Sequence, residues 1–300
     1  MIAVNGLHIE LTNICTLKCP GCARTTFINK FGSNKFKNHS LEYDHLVNFL
    51  QDVELNKKQI LLCGNYGDPI YHKDILKFVD YFKSKNAEVT IVTNGSYKDR
   101  IFWQNLTQLM TAQDTVIFSI DGTAENSKRY RINSDWQSIE IGLNVVGNSK
   151  VNSTWKTIPF NYNEYQLDEI KTLSEKYNIK NFFVDYSDRW DKNTEQFKPV
   201  NFTGPREQAQ IFWHKSMIEI TIDPKCHLGY EHYISAEGYY TPCCYVHDWR
   251  FYYKSEFYKN KKSFAISNSK LQDLLETTLT FFDSIEKTKP NYCSFNCPKL

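Results

Sequence analysis

"CTLKCPGC", residues 15–22, places Cys15, Cys19 and Cys22 within eight positions. Three thiols match neither a disulfide, which uses two, nor a closed structural metal site, which usually takes four ligands. Thiolates are soft ligands, suited to zinc or to iron–sulfur clusters. A four-iron cluster held by three cysteines keeps one iron corner open, and an open position can bind and activate a ligand, as it does in catalytic zinc sites. A zinc site of three cysteines completed by His8, His39 or His45 is the competing reading of the same spacing.

Outward from this stretch, β-rich runs alternate with helical patterns. The candidate strands are Leu7–Cys15, Gln59–Gly64, Glu88–Thr93, Thr115–Ile120, Ser153–Phe160 and Asn181–Tyr186. Between them the apolar period shifts to about 3.6 residues. Tyr43, Leu46, Val47, Leu50 and Val53 share one helical face, with Ser40 expected as the N-cap. Ile75, Phe78, Val79 and Phe82 form the next face. Phe102, Leu106 and Leu109 follow, then Trp136, Ile139 and Leu143, then Leu167, Ile170 and Leu173. Repeated strand–helix units imply a parallel sheet with helices packed outside it. Six units are too few for a complete eight-unit barrel, so a partial barrel or an open doubly wound sheet fits. Either one places ligands beyond the C-terminal ends of the strands, where the three cysteines fall.

The chain has 300 residues, 41% of them apolar and 23% charged, enough for one large domain with a smaller one attached. A net charge of +2 gives no strong field for nucleic acid or a membrane surface. No apolar run approaches the roughly 18 residues of a membrane span, and the first residues do not read as a signal peptide. A cytoplasmic location is therefore expected. Under its reducing conditions, nine cysteines point to metal binding or catalysis rather than to disulfides. Cys63, in the apolar "ILLCG", is expected to be a buried strand residue.

The Cys15-x3-Cys19-x2-Cys22 pattern after a first strand resembles the signature of the radical S-adenosylmethionine (radical SAM) family. "GNYGDPIYHKD" after the second strand is similar to a Gly-Gly-Glu-Pro type segment, with Gly67-Asp68-Pro69 as the matching part. "TNGS" (93–96) and "SIDG" (119–122) end the third and fourth strands, as in that family. The resemblance covers about residues 7–187. It implies that Cys15, Cys19 and Cys22 hold a [4Fe–4S] cluster whose unique iron binds the amino and carboxylate groups of S-adenosylmethionine. Gly67 and Asp68 would meet the ammonium group, and Ser119 and Arg131 the ribose or carboxylate, with Arg129 as a substitute for Arg131. Asn94 and Asp121 enter the cofactor-binding set with their motifs. Two departures stand out: Gly21 occupies a position that is commonly aromatic in the family, and Asp68 is one methylene shorter than the usual acid.

After about residue 188 the alternation stops. "DKNTEQFKPVNFTGPREQ" (191–208) reads as a linker. Beyond it come an expected strand at Met217–Ile222, a hairpin near Tyr233–Tyr240 and a helix starting near Ser269. Cys226, Cys243, Cys244, Cys293 and Cys297 in this region resemble the SPASM/twitch extension of radical SAM enzymes. The resemblance implies one auxiliary [4Fe–4S] cluster held by Cys226, Cys243, Cys293 and Cys297, with Cys244 as a neighbour. Four thiolates saturate such a cluster, which suits electron transfer. A four-cysteine zinc site is the alternative.

The expected architecture is thus α/β. A partial (β/α)6 TIM-like barrel over 1–190 and a linker at 191–215 lead to a small cysteine-rich α+β, SPASM/twitch-like domain over 216–300. The expected activity is reductive cleavage of S-adenosylmethionine to a 5′-deoxyadenosyl radical, with oxidation or crosslinking of a peptide. Dehydrogenation of a small molecule such as a sugar, cyclitol or nucleotide is the alternative, favoured by the short chain and the single expected auxiliary cluster; with a first strand near residue 7, no leader-peptide-binding domain is expected ahead of it. A non-catalytic metal-binding module is the reading from another class. A flavodoxin- or ferredoxin-like electron donor is expected. The basic and aromatic "WRFYYKSEFYKNKK" (249–262) reads as a solvated flank in preference to a nucleic-acid surface.

Overall fold

The computed structural model describes residues 4–187, 189–201, 223, 225–230, 232–288, 293 and 297. The chain divides into two compact units. The first comprises Met1–Ile14, Lys37–Thr90 and Glu219–Leu300; the second comprises Cys15–Phe36 and Ile91–Ile218. The expected strand at Met217–Ile222, and residues 202–215 of the expected linker, lie outside the described residues.

In the first unit the strand order is β3 (Glu88–Thr93), β2 (Gln59–Leu62), β1 (Gly6–Ile9), β7 (His232–Ile234) and β8 (Tyr240–Thr241). The strand β3 crosses the division, which falls after Thr90. β1 is fully buried and pairs in parallel with both neighbours: Leu7 faces Ile60 on one side and His232 on the other. All four of its residues are buried, as in a strand covered on both faces, which explains a run that is apolar except for the buried His8. β7 and β8 form the expected hairpin, with Tyr233 opposite Thr241. Gly238 turns it at φ +79°, a backbone conformation open to glycine.

Helices α2 (Tyr43–Phe49) and α3 (Ile75–Ser84) bury Leu46, Phe49, Ile75, Phe78, Val79 and Phe82, as their 3.6-residue spacing requires. Ser40 does not cap α2. Glu42 holds the N-cap position, while the Ser40 hydroxyl lies 2.9 Å from that of Thr12, where the two residues form an isolated antiparallel bridge. β1 is also shorter than expected, because the chain beyond Glu10 leaves the ladder to make that bridge. Cys63 lies one residue past β2 and is half-buried, so it is not a buried strand residue.

In the second unit the order is β6 (Asn181–Val184), β5 (Asn152–Thr157), β4 (Thr115–Ser119) and β3, with β4–β5 and β5–β6 parallel. Helices α4 (Arg100–Leu109), α5 (Trp136–Gly147) and α6 (Leu167–Lys176) alternate with these strands. Their inward residues Trp103, Leu106, Ile139, Leu143 and Ile170 pack with Val116, Phe118 and Trp155 in a core at or near zero exposure. Close packing fixes Gly142, where a Cβ would sit 2.9 Å from the Trp103 ring. Within the expected linker, Glu195–Phe197 forms a 3-10 turn, and Phe197 meets Tyr130 edge-on at 5.4 Å.

Three further helices follow β8: α7 (Trp249–Tyr252), α8 (Glu256–Lys259) and α9 (Leu271–Thr288). Tyr252 and Phe257 of the basic, aromatic run are buried, and Leu271, Leu274 and Leu275 of α9 join the core. Among the described residues, no helix is long and apolar enough to cross a membrane.

Candidate functional site

In the second unit the cysteine loop ends on helix α1 (Ala23–Phe31), with Cys22 as its N-cap residue. The Cys22 amide donates to the Cys19 carbonyl at 3.1 Å, and the Thr26 amide donates to the Cys22 carbonyl at 2.9 Å. A helix start carries partial positive charge, which favours a thiolate there. Residues 130–133 clamp the loop from outside. The Lys18 amide donates to the Ile132 carbonyl at 3.0 Å, the Asn133 side chain donates to the Thr16 carbonyl at 3.1 Å, and the Gly21 amide donates to the Tyr130 hydroxyl at 3.1 Å. A Cβ on Gly21 would fall 2.4 Å from that hydroxyl. Gly21 is therefore small because Tyr130 fills the space. Tyr130 in turn stacks on Phe160 at 4.1 Å between centroids, and Phe160 on Tyr162 at 5.5 Å.

Of the sequence-predicted residues of this unit, Asn94, Ser119 and Asp121 lie at or just beyond strand ends, and Arg131 follows the 3-10 turn Ser127–Arg129. Asn94 follows β3; its side-chain N–H points at the Cys15 sulfur at 3.6 Å, and its oxygen accepts from the Ser96 amide at 2.8 Å. Ser119 ends β4 and is buried. Asp121 is fully buried: Oδ2 accepts from Arg131 Nε at 2.7 Å and Oδ1 from the Ile158 amide at 2.8 Å. Arg131 thus spends one edge of its guanidinium on Asp121. Arg129 is exposed and lies over the Tyr162 ring, 5.1 Å from its centroid. Burial pushes the Cys19 thiol up to about 12, while the positive charge of Arg131 pulls in the opposite direction. The loop offers three thiols with a cation beside Cys19, an N–H on Cys15 and a helix start at Cys22. Each of these stabilises sulfur in its ligating, deprotonated form.

In the first unit, Gly67 packs where no side chain fits: a Cβ would lie 2.1 Å from the Thr12 carbonyl oxygen. The Asp68 amide donates to the Ile14 carbonyl at 3.1 Å. Asp68 Oδ1 accepts from the Ile70 amide at 3.2 Å and caps the 3-10 turn Pro69–Tyr71. The same unit holds the C-terminal cysteines. Cys226, Cys293 and Cys297 form one buried cluster, with the partly buried Cys243 and Phe281 packed against it. Burial, and after it the neighbouring thiols of Cys243, Cys226 and Cys297, raise the Cys293 thiol well above its usual range. The Tyr245 amide donates to the Cys243 sulfur at 3.3 Å. Cys244 stands apart from this group, and its carbonyl accepts from the Asn65 side chain at 2.9 Å. Among the described residues, no three or more His, Cys, Asp or Glu side chains are grouped to hold a metal ion.

The radical SAM superfamily profile matches residues 9–177. The chain belongs to the radical SAM superfamily. No curated protein sequence is detectably similar to this radical SAM chain. Among solved structures it is similar to Streptococcus suis SuiB bound to S-adenosylmethionine, with TM-score 0.60 and 13% identity over 86% of this chain and 65% of that one. It therefore spans just under two thirds of SuiB. It is also similar to native anSMEcpe with bound AdoMet, with TM-score 0.59 and 14% identity over 98% of this chain and 89% of that one. A third similar structure is SuiB bound to precursor peptide SuiA, at TM-score 0.53 and 14% identity over 88% of this chain and 68% of that one. Together with the parallel pairings, these matches establish the α/β, partial-barrel radical SAM fold. Superfamily membership implies S-adenosylmethionine and a [4Fe–4S] cluster, and the donor set of the cysteine loop fits that cluster.

The sequence reading missed Tyr130 and Glu10. The loop clamp at 130–133 is separated from the cysteines by more than a hundred residues and has no local signature. Glu10 did have one: an acid inside the largely apolar run "LHIELT".

Proposed function

We propose that this chain is a radical SAM enzyme that modifies a peptide oxidatively and uses an auxiliary [4Fe–4S] cluster as an electron conduit. The superfamily match over the cysteine loop carries the first part. When bound, the cluster and S-adenosylmethionine supply a 5′-deoxyadenosyl radical, which takes hydrogen from an unactivated C–H bond of the substrate. Cys15, Cys19 and Cys22 hold the cluster. Asn94 polarises the Cys15 sulfur, and a hydrogen bond to a ligating sulfur is one of the means by which a protein tunes cluster potential. Gly67 and Asp68 meet the ammonium group of S-adenosylmethionine, and Ser119 and Arg131 its ribose or carboxylate. Asp121 orients Arg131 through their buried contact.

The buried grouping of Cys226, Cys293 and Cys297 with Cys243 supports the auxiliary site. Similar structures carrying peptides support the substrate class: SuiB with its precursor peptide, and anSMEcpe with a Cp18Cys peptide, the latter at TM-score 0.57. A flavodoxin- or ferredoxin-type donor in the cytoplasm would supply the electron. Iron and acid-labile sulfide per chain after anaerobic reconstitution test the two-cluster reading. About eight of each is the expected result, and about four would remove the auxiliary cluster and the oxidative role built on it.

A further inference from the structure

Glu10 follows β1 directly and is 2% exposed. A carboxylate at that depth is costly unless donors surround it. Four do. Oε1 accepts from the Tyr66 amide at 2.7 Å and from the Gly67 amide at 3.1 Å. Oε2 accepts from the Tyr233 hydroxyl at 2.7 Å, and the Ala236 amide also donates to the carboxylate. The Glu10 amide meanwhile donates to the Ile234 carbonyl at 2.9 Å. One side chain therefore joins the Gly64–Asp68 turn to the β7–β8 hairpin. Two further bonds tie the turn to the segment after β8, from the Asn65 side chain to the Cys244 carbonyl and from the Tyr66 hydroxyl to the His247 carbonyl.

The turn has little freedom to find its shape by other means. A Cβ on Gly64 would lie 2.5 Å from the Gly67 carbonyl oxygen, so the two glycine backbones already touch. Short-range packing excludes side chains at Gly64 and Gly67 but does not orient the amides of the turn. Glu10 does, by accepting from two successive N–H groups. This fixes the peptide planes at Tyr66 and Gly67 and hence the direction of the carbonyls and carboxylate that follow. Tyr233 holds the other oxygen, and the Tyr233 ring is itself set edge-on against His8 at 5.0 Å.

From this geometry we infer that Glu10 is a positioning residue for S-adenosylmethionine, holding the Gly67–Asp68 turn in its binding shape and locked in place by Tyr233. This rests on the reading above that Gly67 and Asp68 meet the ammonium group. Glu10 touches the turn and not the cofactor, so its removal acts on affinity through backbone order.

Two readouts on the full chain separate this role from general stability. Hydrogen–deuterium exchange of the peptide spanning 64–68, in protein without cofactors, should be faster in Glu10→Leu than in Glu10→Gln, whose carbonyl oxygen can still accept from the Tyr66 and Gly67 amides. The dissociation constant for S-adenosylmethionine, measured on the reconstituted protein, should rise about tenfold or more in Glu10→Leu and recover to within about threefold in Glu10→Gln. If Glu10→Leu does not fold, Glu10→Gln combined with Tyr233→Phe gives the same test, with a rise of about threefold or more expected. Unchanged exchange and affinity in these variants would overturn the role of Glu10. Asp68→Ala is the companion measurement. Weaker binding there with no effect at Glu10 overturns this inference alone, whereas unchanged binding in both Asp68→Ala and Glu10→Leu overturns the assignment of the turn and the inference with it.

Discussion

The hydroxyl of Tyr130 occupies the space a side chain on Gly21 would need, 2.4 Å from the position of its Cβ, and it accepts the Gly21 amide at 3.1 Å. A bulky side chain at position 21 would compete with Tyr130 for one space. Gly21→Phe should therefore lower the iron retained after reconstitution to well under half of wild type. Adding Tyr130→Ala to that variant should restore part of it. Equal iron in the single and double variants would show that the two residues do not compete for one space.

Alanine at Cys15, Cys19 or Cys22 should each abolish 5′-deoxyadenosine formation while circular dichroism stays unchanged, since three thiolates are the minimum that holds the cluster. At the other site, Cys293→Ala or Cys297→Ala should remove about four of about eight iron atoms. Cys244→Ala should remove none, because Cys244 lies outside the buried thiol group.

Asp121 and Arg131 form a buried ion pair, with side-chain exposures of 0% and 14%. Removing one partner of such a pair leaves a charge in low dielectric and costs about 3–5 kcal/mol. Asp121→Asn should lower unfolding stability by that order in chemical denaturation. Arg129→Ala, at an exposed residue over Tyr162, should cost less than about 1 kcal/mol.

Acid should weaken the fold through its buried imidazoles. Burial holds His8 down to about 4 and His247 down to about 3, from an ordinary 6.5. His8 Nε2 lies 2.7 Å from the Cys63 carbonyl oxygen, so in its neutral form it carries the donated proton there. Between about pH 4 and 6.5 the unfolded chain binds more protons than the folded one at these sites, so stability falls as pH drops through that window. Melting temperature should be flat near neutrality and decline from about pH 6.5 downward. His8→Gln should shallow the decline, and an unaltered slope in that variant would assign it to other groups.

Helices α3 to α6 were legible because each buries one face of a strand–helix unit, where the 3.6-residue period reports packing directly: Phe78, Val79 and Phe82 in α3, Ile139 and Leu143 in α5. The cap of α2 was not. Ser40 has the right chemistry for an N-cap, but its hydroxyl is drawn to Thr12, a tertiary contact that no local pattern contains. Cys63 misled for a related reason: "ILLCG" reads as one apolar strand, yet the ladder stops at Leu62, before the turn that Glu10 holds.

The thiol spacing was legible as a site because ligand geometry is set within a short stretch, whereas its supports come from distant segments. Tyr130 and Asn133 reach the loop from 109 and 117 residues away. Asp121 and Arg131 appeared in the sequence as separate cofactor contacts; the fold joins them, ten residues apart, into one pair. Long-range hydrogen bonds of this kind depend on topology, which composition and periodicity do not encode.

The Cys15–Cys22 loop is expected to support reductive opening of S-adenosylmethionine. The most direct measurement is 5′-deoxyadenosine released by reconstituted, reduced protein, quantified against the Cys15→Ala variant. Multiple turnovers or a stoichiometric burst in the wild type, with none in the variant, is the predicted result. No 5′-deoxyadenosine from wild-type protein with its full complement of iron would contradict the account.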